Sequence, residues 1–222
     1  MNQNVMKLPE LNCLTPNEQT TFRKLVEEIA ECNTAIDDLR VYEENHSTNH
    51  LLLGDEEVQR IRYEYKNRLN DVMGEIMDIA QVCASQLFVF EKKGIDAQNL
   101  FKSYSDLQPE SFQDTVFYVI DNCRYVHFAQ TFFREMSLQS TMNTIILSMG
   151  KIAQLGKFTG VNGEVATIDE ETSNRNYVYE LFHIIQDCFN LLYNMKYKYN
   201  IDIETLFEQH VEKLVRKGYC SL

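Results

Sequence analysis

Long runs of helical periodicity constrain this chain more than any other feature of its sequence. Apolar residues recur every three or four positions over stretches such as 25–39 and 75–88, which is the pattern of a helix with one buried face. Helix breakers are scarce, since the 222 residues include eight glycines and three prolines. The sequence therefore predicts an all-α protein.

The same periodicity predicts seven helices, over residues 16–40, 55–92, 95–104, 111–137, 138–158, 177–199 and 201–216. The second helix is either continuous or broken at Gly74, because an isolated glycine costs a helix only about 1 kcal/mol. The stretch 111–137 is apolar almost all round, which is typical of a central helix or of one that packs on a second subunit. Residues 1–15 are predicted to be an extended arm.

The bulk charge limits the classes of partner. A formal charge of −12 and a pI near 4.9 argue against a protein that coats nucleic acid or an anionic membrane, since both need a basic face. No segment has the pattern of a signal peptide or of a membrane span. Six cysteines without a Cys-x-x-Cys pair favour buried, reduced thiols. We therefore expect a soluble, cytoplasmic protein whose acidity has either a solubilising or a functional role.

Acidic residues interrupt two of the apolar helix patterns at a fixed spacing. Glu28 and Glu31 lie three residues apart in the first helix, and Glu75 and Asp78 lie three apart in the second. In a helix this spacing puts each pair on one side. Two facing pairs would form an acidic box, which needs a proton or a cation to be tolerated on a buried face. The alternative is that each acid lies on a solvated helix face.

The second half of the chain repeats the first. A segment that begins at residue 75 aligns with one that begins at residue 180, and after one inserted residue the alignment resumes at Ile95 and Ile201. The matched pairs include Glu75 with Glu180, Gln81 with Gln186, Cys83 with Cys188 and Phe101 with Phe207. Two copies about 105 residues apart indicate a duplicated helical unit, with repeats at 1–108 and 109–222.

The second repeat lacks the acidic box. Lys151 aligns with Glu28, Gln154 with Glu31, and His183 takes the place of Asp78. This copy is therefore expected to have lost the metal site. We expect it to serve as the packing partner that a second subunit otherwise supplies, so that the chain is a pseudo-dimer of two helical repeats. A homodimer of the whole chain is an alternative.

Three short motifs together resemble one enzyme family. The sequence reads EEIAE at 27–31, EIMD at 75–78 and GID at 94–96. These motifs resemble the Glu-Glu-x-x-Glu and Glu-x-x-Asp signatures of the MazG-like, all-α nucleoside triphosphate pyrophosphohydrolases. The resemblance covers residues 16–104 and, as a degenerate copy, 140–222. The related all-α dUTPases carry a tryptophan-rich motif, and this chain has no tryptophan, which disfavours a dUTPase.

The resemblance implies a metal-dependent reaction. Glu28, Glu31, Glu75 and Asp78 would hold one or two Mg²⁺ ions, with Mn²⁺ as an alternative, since hard cations prefer oxygen ligands. Glu27 and Glu28 would be catalytic, with Glu27 either supporting the metal ligands or helping to orient water. The expected reaction is hydrolysis of a ribo- or deoxyribonucleoside triphosphate at the α-phosphorus, which releases the monophosphate and pyrophosphate.

Two lysines are candidates for binding the substrate phosphates. Lys24 lies one turn before Glu28 on the same helix face, and Lys102 lies near the basic run that follows the second motif in the family. Lys213, Arg216 and Lys217 occupy the matching run of the second repeat and are expected to balance the C-terminus of the last helix.

Two other function classes stay open on the sequence alone. A di-iron carboxylate bundle uses Glu-x-x-His pairs on facing helices, and Glu180 with His183 provides one such pair. A catalytically silent helical protein of the same fold, with a binding or interaction role, would carry the acids for solubility only. Metal-dependent pyrophosphate release distinguishes the expected enzyme from both.

Overall fold

The computed structural model describes residues 4–11, 16–46, 54–107, 114–130, 134–160 and 163–220. Six helices and three strands lie within these ranges. In chain order they are β1 (Asn4–Pro9), α1 (Glu18–His46), α2 (Asp55–Lys92), α3 (Ala97–Leu107), β2 (Asp114–Ile120), β3 (Cys123–Gln130), α4 (Leu138–Phe158), α5 (Glu170–Tyr199) and α6 (Ile203–Arg216). The fold is therefore mostly helical, as predicted, with a small sheet that the sequence did not predict.

Two pairs of long helices form the centre of the molecule. Helix α1 packs along α2, α4 packs along α5, and α2 and α5 pack against each other. The facing positions of α2 and α5 are apolar and fully buried, including Ile79, Cys83, Leu181, Ile185 and Cys188. One core cluster contains residues from both predicted repeats, so the boundary at residue 108 does not separate two cores.

Helix α2 is continuous through Gly74, which settles the alternative left open by the sequence. A Cβ atom built on Gly74 would meet no atom within 4 Å, so close packing does not require glycine there. Of the described helices, α2 is long and apolar enough to cross a membrane by length and composition. However, 72% of its most apolar stretch of 18 residues is buried inside the protein. Core helices pass the same test, so the finding is weak support for a membrane span.

The helix predicted over 111–137 is wrong for the part that the structure describes. Strands β2 and β3 form an antiparallel hairpin there, while residues 111–113 and 131–133 lie outside the described ranges. Aromatic and β-branched residues favour strands over helices. The turn residues Asp121 and Asn122 have φ angles of 49° and 68°, and a two-residue turn with both φ angles positive matches the twist of a hairpin.

The predicted extended arm contributes the third strand. Strand β1 pairs antiparallel with β3, which gives the sheet order β1-β3-β2. Side chains alternate between the two faces of a sheet, and Met6, Leu8, Val126 and Phe128 of one face are at most 1% exposed. The sheet therefore joins the first residues of the chain to the second half through the common core.

Side-chain caps begin the helices of the second half. The Asp169 carboxylate accepts a hydrogen bond from the backbone N–H of Thr172 at 2.7 Å at the start of α5, and Asp202 accepts one from Thr205 at 3.1 Å at the start of α6. Acidic N-caps accept from otherwise unpaired N–H groups and complement the helix dipole. With the Asp169 cap, α5 begins at Glu170, seven residues before its predicted start. Helix α4 has its predicted bounds.

Tyr193 of α5 binds the edge strand β1, and this contact yields a stability prediction. Its hydroxyl accepts a hydrogen bond from the Val5 N–H at 2.8 Å and donates one to the Val5 carbonyl at 2.7 Å. Tyr193→Phe should lower the free energy of unfolding by about 1–2 kcal/mol, because both backbone groups lose a partner. Urea unfolding measures the loss, with Tyr63→Phe on the exposed face of α2 as the control. A loss no larger than the control's would contradict this role.

Candidate functional site

The structure brings three of the four predicted metal ligands together. Glu28 lies on α1, and Glu75 and Asp78 lie one turn apart on α2. One carboxylate oxygen from each residue lies within 4.8 Å of one from both of the others. Because α1 packs along α2, the two helices turn these acids toward each other. We call Glu28, Glu75 and Asp78 the carboxylate cluster.

The other two acids of the first motif lie outside the carboxylate cluster. Glu31 is exposed on α1, although its charge is close enough to raise the pKa of Glu28. Glu27 is also exposed, and its carboxylate accepts a hydrogen bond from the Lys24 ammonium at 2.8 Å. A helix turns about 100° per residue, so Glu27 cannot share the inward direction of Glu28.

Unpartnered oxygens make the carboxylate cluster a candidate site for a cation. Oε2 of Glu28 and Oε2 of Glu75 are buried and have no hydrogen-bond partner among the described residues, and Glu28 as a whole is only 5% exposed. A buried carboxylate without a partner is costly unless a proton or a cation compensates it. Together with the Asp78 carboxylate, these two oxygens form the all-oxygen donor set that Mg²⁺ and similar hard cations prefer.

Two lysines and a histidine contact the carboxylate cluster. The Lys24 ammonium lies 2.7 Å from Oε1 of Glu28. On the other side, Asp78 accepts a short hydrogen bond from Lys213 and lies 3.3 Å from Nδ1 of the buried His210. Both of these residues come from α6, in the second half of the chain, so the two halves build the site together.

Sequence reasoning missed the role of α6. It assigned Lys213 to the helix C-terminus, whereas the structure puts its ammonium on Asp78. The available signal was the spacing of His210, Lys213, Leu214 and Lys217, which lie at helical intervals on one face. The predicted phosphate ligand Lys102 lies exposed on α3 and is not among the described residues that line the cavity beside the carboxylate cluster.

That cavity has a volume of about 530 Å³, and Glu28 and Asp78 form part of its wall. This volume is within the range of small-molecule sites. The cavity has basic residues on its wall, which are Arg23, Lys24, Lys213 and Lys217, and an apolar wall made by Leu11, Pro16, Val82, Leu214 and Tyr219. The wall also carries the acids Glu27, Glu28 and Asp78. With a cation bound to the carboxylates, the four basic side chains would suit an anionic ligand with an apolar part.

The three carboxylates differ in their affinity for protons. Burial, and then the charge of Asp78, raises the pKa of Glu75 to about 7. Burial also raises the pKa of Glu28, which Lys24 opposes only in part. Burial acts on Asp78 too, but hydrogen bonds from His210 and Lys213 outweigh it and hold that pKa below its ordinary value. Of the three carboxyl groups, Asp78 thus has the lowest affinity for a proton, whereas the pKa of Glu75 lies near neutral pH.

The raised pKa of Glu75 predicts the pH dependence of metal binding. In the metal-free protein, the pKa of Glu75 is about 7 in the folded state and near 4.5 in the unfolded state. The contribution of Glu75 to stability is therefore full below pH 4.5 and is lost as pH rises through about 7. A metal must displace the proton, so its affinity should rise with pH up to about 7 and then level off. Thermal unfolding should therefore show a larger stabilisation by Mg²⁺ at pH 8 than at pH 6. Equal stabilisation at both pH values would contradict this assignment.

The second repeat has different contacts at the matching positions. Lys151, which aligns with Glu28, forms an ion pair with Glu180 at 3.1 Å. His183, which aligns with Asp78, has its ring edge-on to Tyr104, with the ring centroids 5.5 Å apart. Within the described ranges, Glu180 and His183 belong to no acidic cluster with metal-ligand spacing. The contacts of this pair therefore do not favour a di-iron centre.

Comparisons with protein-family models, with curated proteins and with solved structures returned no match for this chain. The geometry of the site must therefore carry the functional conclusion.

Proposed function

We propose that this protein is a magnesium-dependent hydrolase that cleaves a ribo- or deoxyribonucleoside triphosphate to the monophosphate and pyrophosphate. The observation that carries the proposal is the carboxylate cluster, with two buried and unpartnered oxygens, in the wall of a cavity that also presents four basic side chains. A hard-cation site beside a cationic and partly apolar cavity suits a metal-bound phosphate ester with an aromatic base.

Each group of residues has a separate task in this proposal. Glu28, Glu75 and Asp78 would hold Mg²⁺, which when bound supplies charge for the phosphoryl oxygens and lowers the pKa of a coordinated water. Arg23, Lys24, Lys213 and Lys217 would neutralise the phosphates, a task for which preorganised charges are effective. The apolar wall would bind the base. Lys102 has no part in the proposal because it lies away from the cavity.

Glu27 is the proposed residue for orienting the attacking water. It lines the cavity next to Glu28, and its carboxylate is held by Lys24 at 2.8 Å. A carboxylate within hydrogen-bond reach of a water molecule can orient it for attack. Glu31, which is exposed, would have at most an electrostatic effect on the metal through its influence on Glu28.

We also propose that the fold arose by duplication and that each repeat completes the other. Matching contacts across the halves support this. The Tyr104 hydroxyl on α3 donates to Gln186 on α5 at 2.7 Å. His210 on α6, which is as far from Tyr104 in the sequence as Phe207 is from Phe101, lies 3.4 Å from Gln81 on α2. In each case the last helix of one repeat packs on the long helix of the other. The Lys151–Glu180 ion pair would then replace the metal site in the degenerate copy.

A screen of ribo- and deoxyribonucleoside triphosphates for pyrophosphate release tests the proposed activity. Release should require Mg²⁺ or Mn²⁺, and the other product should be the monophosphate. Release of orthophosphate with a diphosphate product would contradict attack at the α-phosphorus. If no triphosphate is cleaved but Mg²⁺ still stabilises the protein, the chain is a binding protein of this fold.

A further inference from the structure

Two lysine ammonium groups occupy positions where they compete with a metal ion for the carboxylate cluster. Lys24 lies 2.7 Å from a Glu28 oxygen, and Lys213 donates a short hydrogen bond to Asp78. Both side chains also line the cavity in which the proposed function puts the triphosphate. Each ammonium can therefore interact either with a carboxylate or with a phosphate.

We infer that Lys24 and Lys213 make metal binding and triphosphate binding depend on each other. Without a ligand, they neutralise Glu28 and Asp78. When a metal–triphosphate complex enters, the metal takes over the carboxylates and the ammonium groups turn to the phosphates. The site thus binds the metal and the triphosphate together and binds either one poorly alone. This inference rests on the proposed function, since it takes a triphosphate as the ligand.

The balance of charges supports this coupling. The cavity and the carboxylate cluster together hold four acidic residues (Glu27, Glu28, Glu75 and Asp78) and four basic residues (Arg23, Lys24, Lys213 and Lys217). A divalent cation alone adds positive charge beside the ammonium groups, and a triphosphate alone adds negative charge beside the carboxylates. When both bind, the charge of the cation offsets part of the charge of the triphosphate, and this matters most where burial weakens solvent screening.

The lysines have the freedom that such an exchange needs. The side chain of Lys24 is 46% exposed and that of Lys213 is 33% exposed, whereas the carboxylates that they contact are largely buried. A lysine carries its charge on a flexible four-carbon stem. The carboxylates can therefore stay in position for the metal while the ammonium groups move by rotation about side-chain bonds.

Calorimetric titrations of the full chain test the coupling. Mg²⁺ alone, inorganic tripolyphosphate alone, and each in the presence of the other are titrated. Each ligand should strengthen the binding of the other by at least about 10-fold, and by the same factor in both orders, as linkage requires. Independent binding of the two ligands by the wild-type protein would overturn the inference.

The Lys213→Met variant should change the affinities for Mg²⁺ and for tripolyphosphate in opposite directions. In this variant, Mg²⁺ alone should bind several-fold more tightly, because the positive ammonium that competes with it at Asp78 is absent. Tripolyphosphate alone should bind several-fold more weakly, because it loses a positive partner. Lys102→Met, on an exposed position of α3, is the matched control and should change neither. A variant that weakens both ligands or changes neither would overturn the inference. Lys24→Met should repeat the pattern, and it replaces Lys213→Met if that variant fails to fold.

The inference and the proposed function can fail separately. Coupled binding without cleavage of any nucleoside triphosphate would contradict the enzyme and support the coupling. Cleavage with independent binding of Mg²⁺ and tripolyphosphate would support the enzyme and overturn the coupling.

Discussion

Replacing Glu75 by glutamine should lower magnesium-dependent hydrolysis by about 100- to 1,000-fold, because the variant loses a carboxylate ligand whose charge holds the metal. The metal-free variant should be at least as stable as the wild-type protein at pH 8. Glu75 has a buried, unpartnered oxygen and a pKa raised to about 7, so its charge is unfavourable there without a metal. A residue that lowers stability in the absence of its ligand is typical of a functional site.

Pyrophosphate release and thermal unfolding on the same samples measure both effects. Asp71→Asn is the matched control, since Asp71 lies exposed one turn before Glu75 on α2. The control should keep full activity and the full stabilisation by Mg²⁺. If Glu75→Gln keeps both as well, the carboxylate cluster is not the metal site.

Replacing Phe182 by alanine should lower the free energy of unfolding by about 3–5 kcal/mol, which is the usual cost of removing a large aromatic side chain from a core. Phe182 is 0% exposed. Its ring lies 5.4 Å from that of Phe101 on α3 and 6.5 Å from that of Phe128 on β3, measured between centroids. It therefore joins elements from both predicted repeats.

Urea unfolding monitored by helix content and by tyrosine fluorescence measures this cost. The two probes should give one coincident transition, because the helices and the sheet contribute to one large core cluster. Phe158→Ala, at a position that is 45% exposed on α4, should cost much less. Two separate transitions would show instead that the halves unfold independently.

The helical part of the fold could be predicted because local periodicity determines it. Helix α4 spans its predicted residues, and α6 ends where the pattern ends. The hairpin of β2 and β3 was missed because a nearly continuous apolar run fits a buried strand as well as a buried helix. The Asp121-Asn122 pair was the local signal for a turn, since both residue types tolerate a positive φ.

The carboxylate cluster could be anticipated for a similar reason. Spacing within α2 puts Glu75 and Asp78 on one side, and the acid at position 28 interrupts an apolar stripe that has to be buried. The contribution of α6 could not be anticipated, because it depends on how α6 packs on α2. The contacts of His210 and Lys213 with Asp78 are tertiary, and the helical spacing of the two residues indicates only that they share one face of α6.

Crystals grown with Mn²⁺ and tripolyphosphate provide the most direct test of the carboxylate cluster as a metal site. Anomalous scattering of manganese should give a peak in contact with carboxylate oxygens of Glu28, Glu75 and Asp78, with tripolyphosphate in the adjoining cavity. A cluster without a manganese peak, while tripolyphosphate occupies the cavity, would contradict the metal site and the hydrolysis proposed from it.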